Sequence, residues 1–333
     1  MPKYLRFLLF VVFILIYLPA PAQKRSNPLA GKVICLDAGH GGTAEIDKYR
    51  AGLSGEREEW INLRVALLLK EMLEEKGARV LMTRTADDNV LLADRAQMAV
   101  DNEADIFLSI HHNATADPGA NFPIIYFHGN ASENTASVTL SRQVALALSE
   151  HLYKGSTPVS LASDHVIFAT AGTKVLRDTY GIPGVIAEAS FFTNPEEEKR
   201  LKKRGYNRRE ARAYVIALEA FFSKPEQPVL PKNSLVSLPP FKAFQEAERM
   251  NETARLWRRD FLRAQALMAH KDSASLHQAF ELFTRSARSF PDSYVAAQCH
   301  KNRAIILEML GKKEEAKQEA LRSKEHFVRV SEK

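Results

Sequence analysis

Between residues 32 and 222, short apolar runs alternate with longer stretches of helical period, and that alternation limits the fold to strands interleaved with helices. Residues 32–36, 79–83, 106–110, 124–127 and 185–189 read as strands, with 166–169 as a further candidate. Ile61, Val65, Leu68, Leu69 and Met72 recur at helical spacing and make one apolar face, which Gly77 closes as a C-cap. Further helices are expected at 91–102, 133–151 and 196–221. The architecture read from this pattern is α/β: a mostly parallel sheet with helices on both faces, followed by a small all-α region. In such sheets the site lies off the carboxyl ends of the strands.

Two histidines fall at such ends. Ile34-Cys35-Leu36-Asp37-Ala38-Gly39-His40-Gly41-Gly42 is an apolar run ending in a glycine turn around His40, and His111 follows the apolar run 106–110. Zinc in a hydrolytic site takes three ligands from His and Asp/Glu and keeps one position for water. The third ligand is expected from Gly55-Glu56-Arg57-Glu58-Glu59-Trp60. Glu58 opens a helix, where the dipole keeps a carboxylate ionised, and it shares a helix face with Asn62; Glu56 and Glu59 are open on spacing alone. Glu188 is the one acid in the apolar run Val185-Ile186-Ala187-Glu188-Ala189-Ser190-Phe191-Phe192. A buried, unpaired carboxylate is costly, and such surroundings raise its pKa toward that of a general base.

These segments resemble the zinc-dependent N-acetylmuramoyl-L-alanine amidases of the cell-wall amidase type 3 family. The family's "DAGHGG" loop matches at His40. Its glutamate four residues before an "NL" pair matches Glu58 with Asn62 and Leu63. Its "SIHxN" matches Ser109, Ile110, His111 and Asn113, and its glutamate before "xxFxxNP" matches Glu188 with Phe191, Asn194 and Pro195. Thr83-Arg84, Leu92 and Arg95 fit the intervening "TR…L…R" run. The resemblance covers residues 32–222. It implies one Zn²⁺ held by His40, Glu58 and His111, with Glu188 as base. It further implies hydrolysis by zinc-activated water of the amide bond between N-acetylmuramic acid and L-alanine of the stem peptide. The rival readings are a zinc peptidase cutting within the stem peptide and a non-catalytic wall-binding scaffold.

The rest of the chain sets the context. Lys3 and Arg6 precede an apolar run from Phe7 to Leu18 and an Ala20-Pro21-Ala22 site, the pattern of a signal peptide over residues 1–22. The implied location is exported, periplasmic or envelope-associated, with no stable membrane insertion after cleavage. The net charge of +6 falls by two with that segment and is not concentrated as a nucleic-acid patch would be, so peptidoglycan, not nucleic acid, is the expected polymer partner. The chain's two cysteines exclude a disulfide framework, and Cys35 reads as a small core hydrophobe. With the catalytic domain bounded at 30–222, residues 223–241 carry five prolines and read as a semi-rigid spacer.

Residues 242–330 read as helical. Ala279-Phe280…Phe283…Ala287…Phe290-Pro291-Asp292 and Leu310-Gly311…Glu315-Ala316 resemble tetratricopeptide helices over little more than one repeat. Behind a spacer they imply a docking module for a protein partner. His112 should point away from His111 on an extended chain. His128, His151 and His165 have no motif around them and read as surface or loop residues. Arg84 and Arg95 read as ion-pair partners within the fold.

Overall fold

The computed structural model describes residues 27–47 and 50–330, so the signal-peptide segment lies outside the described residues. Seven strands form one sheet: β1 Val33–Ala38, β2 Arg79–Met82, β3 Ile106–Asn113, β4 Ile124–Phe127, β5 Ser160–Ser163, β6 Gly184–Phe191 and β7 Phe327–Val328. Their order is β2-β1-β3-β6-β4-β5-β7. From β2 to β6 neighbouring strands are parallel; β4 is antiparallel to β6 but parallel to β5, and β7 is antiparallel to β5. The sheet is therefore mixed, with its parallel half carrying His40, His111 and Glu188.

Strand parity sorts the core into two layers. Ile34, Leu36, Ile106, Leu108, Ile110, Val185 and Ala187 pack under α1 (Glu58–Glu74), α3 (Thr135–Tyr153) and α6 (Arg204–Phe222). Cys35, Phe107, Ile124, Tyr126 and Ile186 point to the other face, toward α2 (Leu92–Asp101) and α4 (Lys174–Asp178). That second layer continues without a break into the C-terminal helices through Trp257, Phe261, Phe283 and Phe290.

Three expectations change. Residues 166–169 are not a strand: β5 is Ser160–Ser163, and the Ser163 hydroxyl accepts from the His165 amide, turning the chain into a 3₁₀ turn over Asp164–Val166. The helix expected at 196–221 is two, α5 (Pro195–Leu201) and α6, because the Leu201 carbonyl accepts from the Arg64 and Asn207 side chains instead of continuing the helical ladder.

The third concerns the proline-rich segment, which is no free spacer. The buried Glu133 carboxylate accepts the backbone N–H groups of Asn233, Leu235 and Val236, and its carbonyl accepts that of Leu230, strapping the segment onto the α/β core. The chain then runs through α7 (Glu246–Arg249), α8 (Trp257–Met268), α9 (Ser273–Ser289), α10 (Ala296–Met309) and α11 (Lys313–Glu325) and returns as β7 on the sheet edge. Consecutive helices from α8 to α11 pack against one another, the arrangement of successive helical hairpins.

A buried charge cluster locks these helices. The Glu319 carboxylate meets His300 Nδ1 at 2.7 Å and Arg303 Nε at 2.9 Å. Burial pushes this carboxyl up, but His300 and Arg303 outweigh it and hold it far below the ordinary 4.5. A depressed acid stabilises the fold above its unfolded pKa, and that stability drains away as pH falls below about 4.5. Removing one partner of a buried pair costs about 3–5 kcal/mol. Glu319→Gln should show that loss in urea unfolding at pH 7, and its stability should fall less steeply than the wild type's on acidification.

Candidate metal centre

The loop after β1 is held by buried arginines. Arg84 donates to the carbonyls of Ala38, Gly39 and Glu59, and Arg95 to the Asp37 carboxylate and the carbonyls of Ala38 and His40. Arg95 is thus an ion-pair partner, as expected; Arg84 is instead a carbonyl clamp. The Asp37 carboxylate also accepts from Thr83 and Ser109. Burial pushes its carboxyl up, but Arg95 and the two hydroxyls overcome it and hold it low. Thus anchored, the loop sets His40 in the left-handed region, φ 59°, a conformation that costs about 1–3 kcal/mol and concentrates at functional sites. Gly39 is required by space: a Cβ there would lie 2.2 Å from His111 Nε2.

Three side chains from three elements then meet. His40 Nε2 lies 3.2 Å and His111 Nδ1 2.9 Å from the same oxygen, Oε1 of Glu58, at the start of α1. The donor atoms of all three fall within 4.8 Å of one another. The Glu58 carboxylate is 1% exposed. Burial pushes it up, while His40, His111 and, on its second oxygen, Arg50 at 3.0 Å hold it well below the ordinary range. Burial also holds His111 below its ordinary value, against the pull of Glu58. Two imidazoles aimed at one ionised carboxylate oxygen form a donor set that suits a shared divalent cation, and zinc accepts two nitrogens and one oxygen. Of the two other candidate acids, Glu56 pairs with Arg64 and Glu59 with Arg57.

Glu188 stands directly across the β3–β6 ladder from His111, on the same face of the sheet. Its Oε2 is buried and has no hydrogen-bond partner. Burial raises its pKa well above that of a free carboxylate, with the charge of Glu58 adding to the effect. Two tail residues also bear on it: Asp292 pushes it up and Arg249 down. Arg249 pairs with Asp292 at 3.3 Å, and Asp292 accepts the Tyr126 hydroxyl from β4. The sequence carried no sign that these tail residues would approach this acid.

His112 points to the opposite face, as expected. Its Nδ1 meets Asn62 Oδ1 at 2.8 Å and its Nε2 meets Glu210 Oε2 at 3.1 Å, while Asn62 Nδ2 donates to Glu58 Oε1 and to the Gly39 carbonyl. Asn62 and Glu210 gave no signal of this network beyond the helical spacing of Asn62 to Glu58. Groups that orient a ligand in this way are worth about 10–100-fold in metal affinity. Asn62→Ala should weaken zinc binding by that factor in a competition titration against a chromophoric chelator.

Residues 34–220 match the family model described as N-acetylmuramoyl-L-alanine amidase. The chain is 32% identical over 206 residues to a protein described as a probable cell wall amidase LytH from Staphylococcus epidermidis, covering 62% of this chain and 64% of that protein. A protein of the same description from Staphylococcus aureus is 32% identical over 211 residues, covering 61% and 63%. The chain thus spans just under two thirds of the length of these curated relatives. Among solved structures it is similar to the CwlD amidase from Clostridioides difficile in complex with the GerS lipoprotein, with 27% identity, a TM-score of 0.50, and coverage of 58% of this chain and 99% of that one. An N-acetylmuramoyl-L-alanine amidase from Clostridium difficile 630 shares the fold at 24% identity and a TM-score of 0.51, over 59% of this chain and 99% of that one.

Proposed function

Because the chain belongs to the N-acetylmuramoyl-L-alanine amidase family, we propose that it hydrolyses the amide bond between N-acetylmuramic acid and the L-alanine of the peptidoglycan stem peptide. His40, Glu58 and His111 would hold one Zn²⁺, and Glu188 would serve as general base and then general acid. The observation that carries this reading is the meeting of two imidazoles on one buried carboxylate oxygen, with an unpartnered carboxylate across the ladder. Zinc at such a site supplies Lewis acidity to the scissile carbonyl and lowers the pKa of water to roughly 7. Glu188 Oε2, poorly solvated and raised in pKa, takes the proton of the attacking water and passes it to the leaving nitrogen. Arg84, Arg95 and Asn62 keep the His40 loop and Glu58 in register with His111. Mass spectrometry of digested sacculi tests the bond: intact free stem peptides support the assignment, and cuts within the stem would make the protein a zinc peptidase instead. A chelator should abolish the release and added zinc restore it; no release with or without zinc would leave the scaffold reading.

The proposal places the protein in the envelope, exported by residues 1–22, with a catalytic unit at 30–222, a proline-rich strap at 223–241 and a helical unit at 242–330. No helix among the described residues is long and apolar enough to cross a membrane. N-terminal sequencing of the exported form should begin at Gln23. One structural neighbour is in complex with a lipoprotein. We assign a protein partner of this chain to the outward sides of the C-terminal helices, where Leu262, Ile305 and Met309 are exposed; serine at all three should lower envelope retention without lowering turnover on isolated sacculi.

A further inference from the structure

We propose that His128, Asp164 and His165 form a second divalent-cation site, separate from the His40 centre. His128 follows β4, and Asp164 and His165 follow β5. Because β4 runs against β6, with Ile124 beside Glu188 and Tyr126 beside Ile186, the chain moves away from Glu188 as it approaches His128. The cluster therefore sits toward the opposite end of the sheet from the first site.

Three features argue for a ligand. First, the donor set is right: two imidazoles and a carboxylate, all within 4.8 Å of one another. Two nitrogens and one oxygen suit first-row divalent ions such as zinc, and exclude a preference for the hard, all-oxygen chemistry of calcium or magnesium. Second, the carboxylate is held in a fixed orientation. Asp164 Oδ2 accepts both the amide and the hydroxyl of Thr173, at 2.7 and 2.8 Å, while His128 Nδ1 faces the carboxylate at 2.9 Å. Ligating carboxylates are held by such outer hydrogen bonds. Third, the backbone makes room for the cluster. Gly172 passes at φ 64°, and a Cβ there would lie 2.6 Å from both Asp164 oxygens and from His128 Cε1. His128 and Asp164 are buried, and His165 is partly open, which leaves an entry path.

The ion would have a structural consequence. The His165 ring lies 5.9 Å from that of His326, the residue that leads into β7, and Ser163 donates its N–H to the His326 carbonyl. Fixing His165 would therefore pin the returning end of the chain to β5.

The test is metal stoichiometry on the full chain, stripped by chelation, reloaded with zinc, desalted and measured by mass spectrometry of the element. Wild type should retain two zinc ions per chain, H165Q and H128Q one each, and the double variant H40A/H111A one. The double variant reads the second site alone, so the outcome does not depend on the amidase assignment. Adding zinc to it should raise its melting temperature, and adding zinc to H40A/H111A/H165Q should not. Circular dichroism identifies any variant that fails to fold; the double variant's zinc count then decides the matter. No retained zinc in H40A/H111A, or an undiminished count in a folded H165Q, would overturn the proposal.

Discussion

Replacing Glu188 by glutamine is expected to lower peptidoglycan hydrolysis by about 10²–10⁴-fold, the usual contribution of a positioned acid–base group. The exchange keeps the size and shape of the side chain while removing its ability to take a proton. Glu188 Oε2 has no hydrogen-bond partner, so no protein contact is broken there. Burial and the Glu58 charge raise the pKa of this acid, and a neutral amide escapes both. Glu188→Gln should therefore be at least as stable as the wild type and bind zinc as tightly. A loss of turnover with unchanged zinc content and an unchanged or higher melting temperature supports the role; turnover at the wild-type rate removes it. Loss of zinc along with activity would make Glu188 part of the metal shell instead.

Ending the chain after Phe222 is expected to destroy the fold of the remaining α/β unit. The C-terminal helices supply one wall of a continuous apolar layer. Phe122 and Phe191 of the α/β unit lie 5.8 and 6.0 Å, ring to ring, from Phe290, and Phe122 lies 5.0 Å from Tyr294. Exposing a buried side chain of this size costs about 1.5–3 kcal/mol. Several such exposures, together with a bare edge at β5 and the loss of the strap on Glu133, exceed the roughly 5–15 kcal/mol by which domains are stable. Aggregation or a non-cooperative melt of the 23–222 fragment is the expected result. A fragment that is soluble, monomeric and cooperatively folded would show that the tail merely rests on the sheet.

The same contacts change the meaning of the tail. A proline-rich segment followed by amphipathic helices suggests a tethered docking module, because proline density reports only that no helix or strand forms there. Whether such a segment hangs free depends on a distant acceptor, and here Glu133, about a hundred residues earlier in the chain, collects its amides. The helices likewise announce an apolar face without saying what covers it. Arg249 and Asp292 reach the neighbourhood of Glu188 for that reason alone.

Much of the candidate site's geometry was legible nonetheless. Glycines around His40, a histidine at the end of an apolar run, a glutamate at a helix start and an acid inside a strand are local patterns with local physical causes. So were the five main strands and the helix face from Ile61 to Met72. One error fell where a turn overrode the stronger local signal. Val166-Ile167-Phe168-Ala169 is more apolar than Ser160-Leu161-Ala162-Ser163, yet the second run pairs with β4 because a serine hydroxyl turns the chain before the first. His128 and His165 carried no motif, because Asp164 and His165 follow β5 while His128 follows β4, more than thirty residues earlier in the chain.

By itself the sequence determined the alternation of strands and helices, the strand ends that bear His40 and His111, and the chemical character of Glu58 and Glu188, since backbone periodicity and side-chain chemistry act over a few residues. Only the tertiary structure decided which of the three neighbouring acids meets the imidazoles, that β4 reverses, and that the tail closes one face of the sheet. Those outcomes depend on burial and charge between residues far apart in the chain, and no local pattern encodes the distance between them.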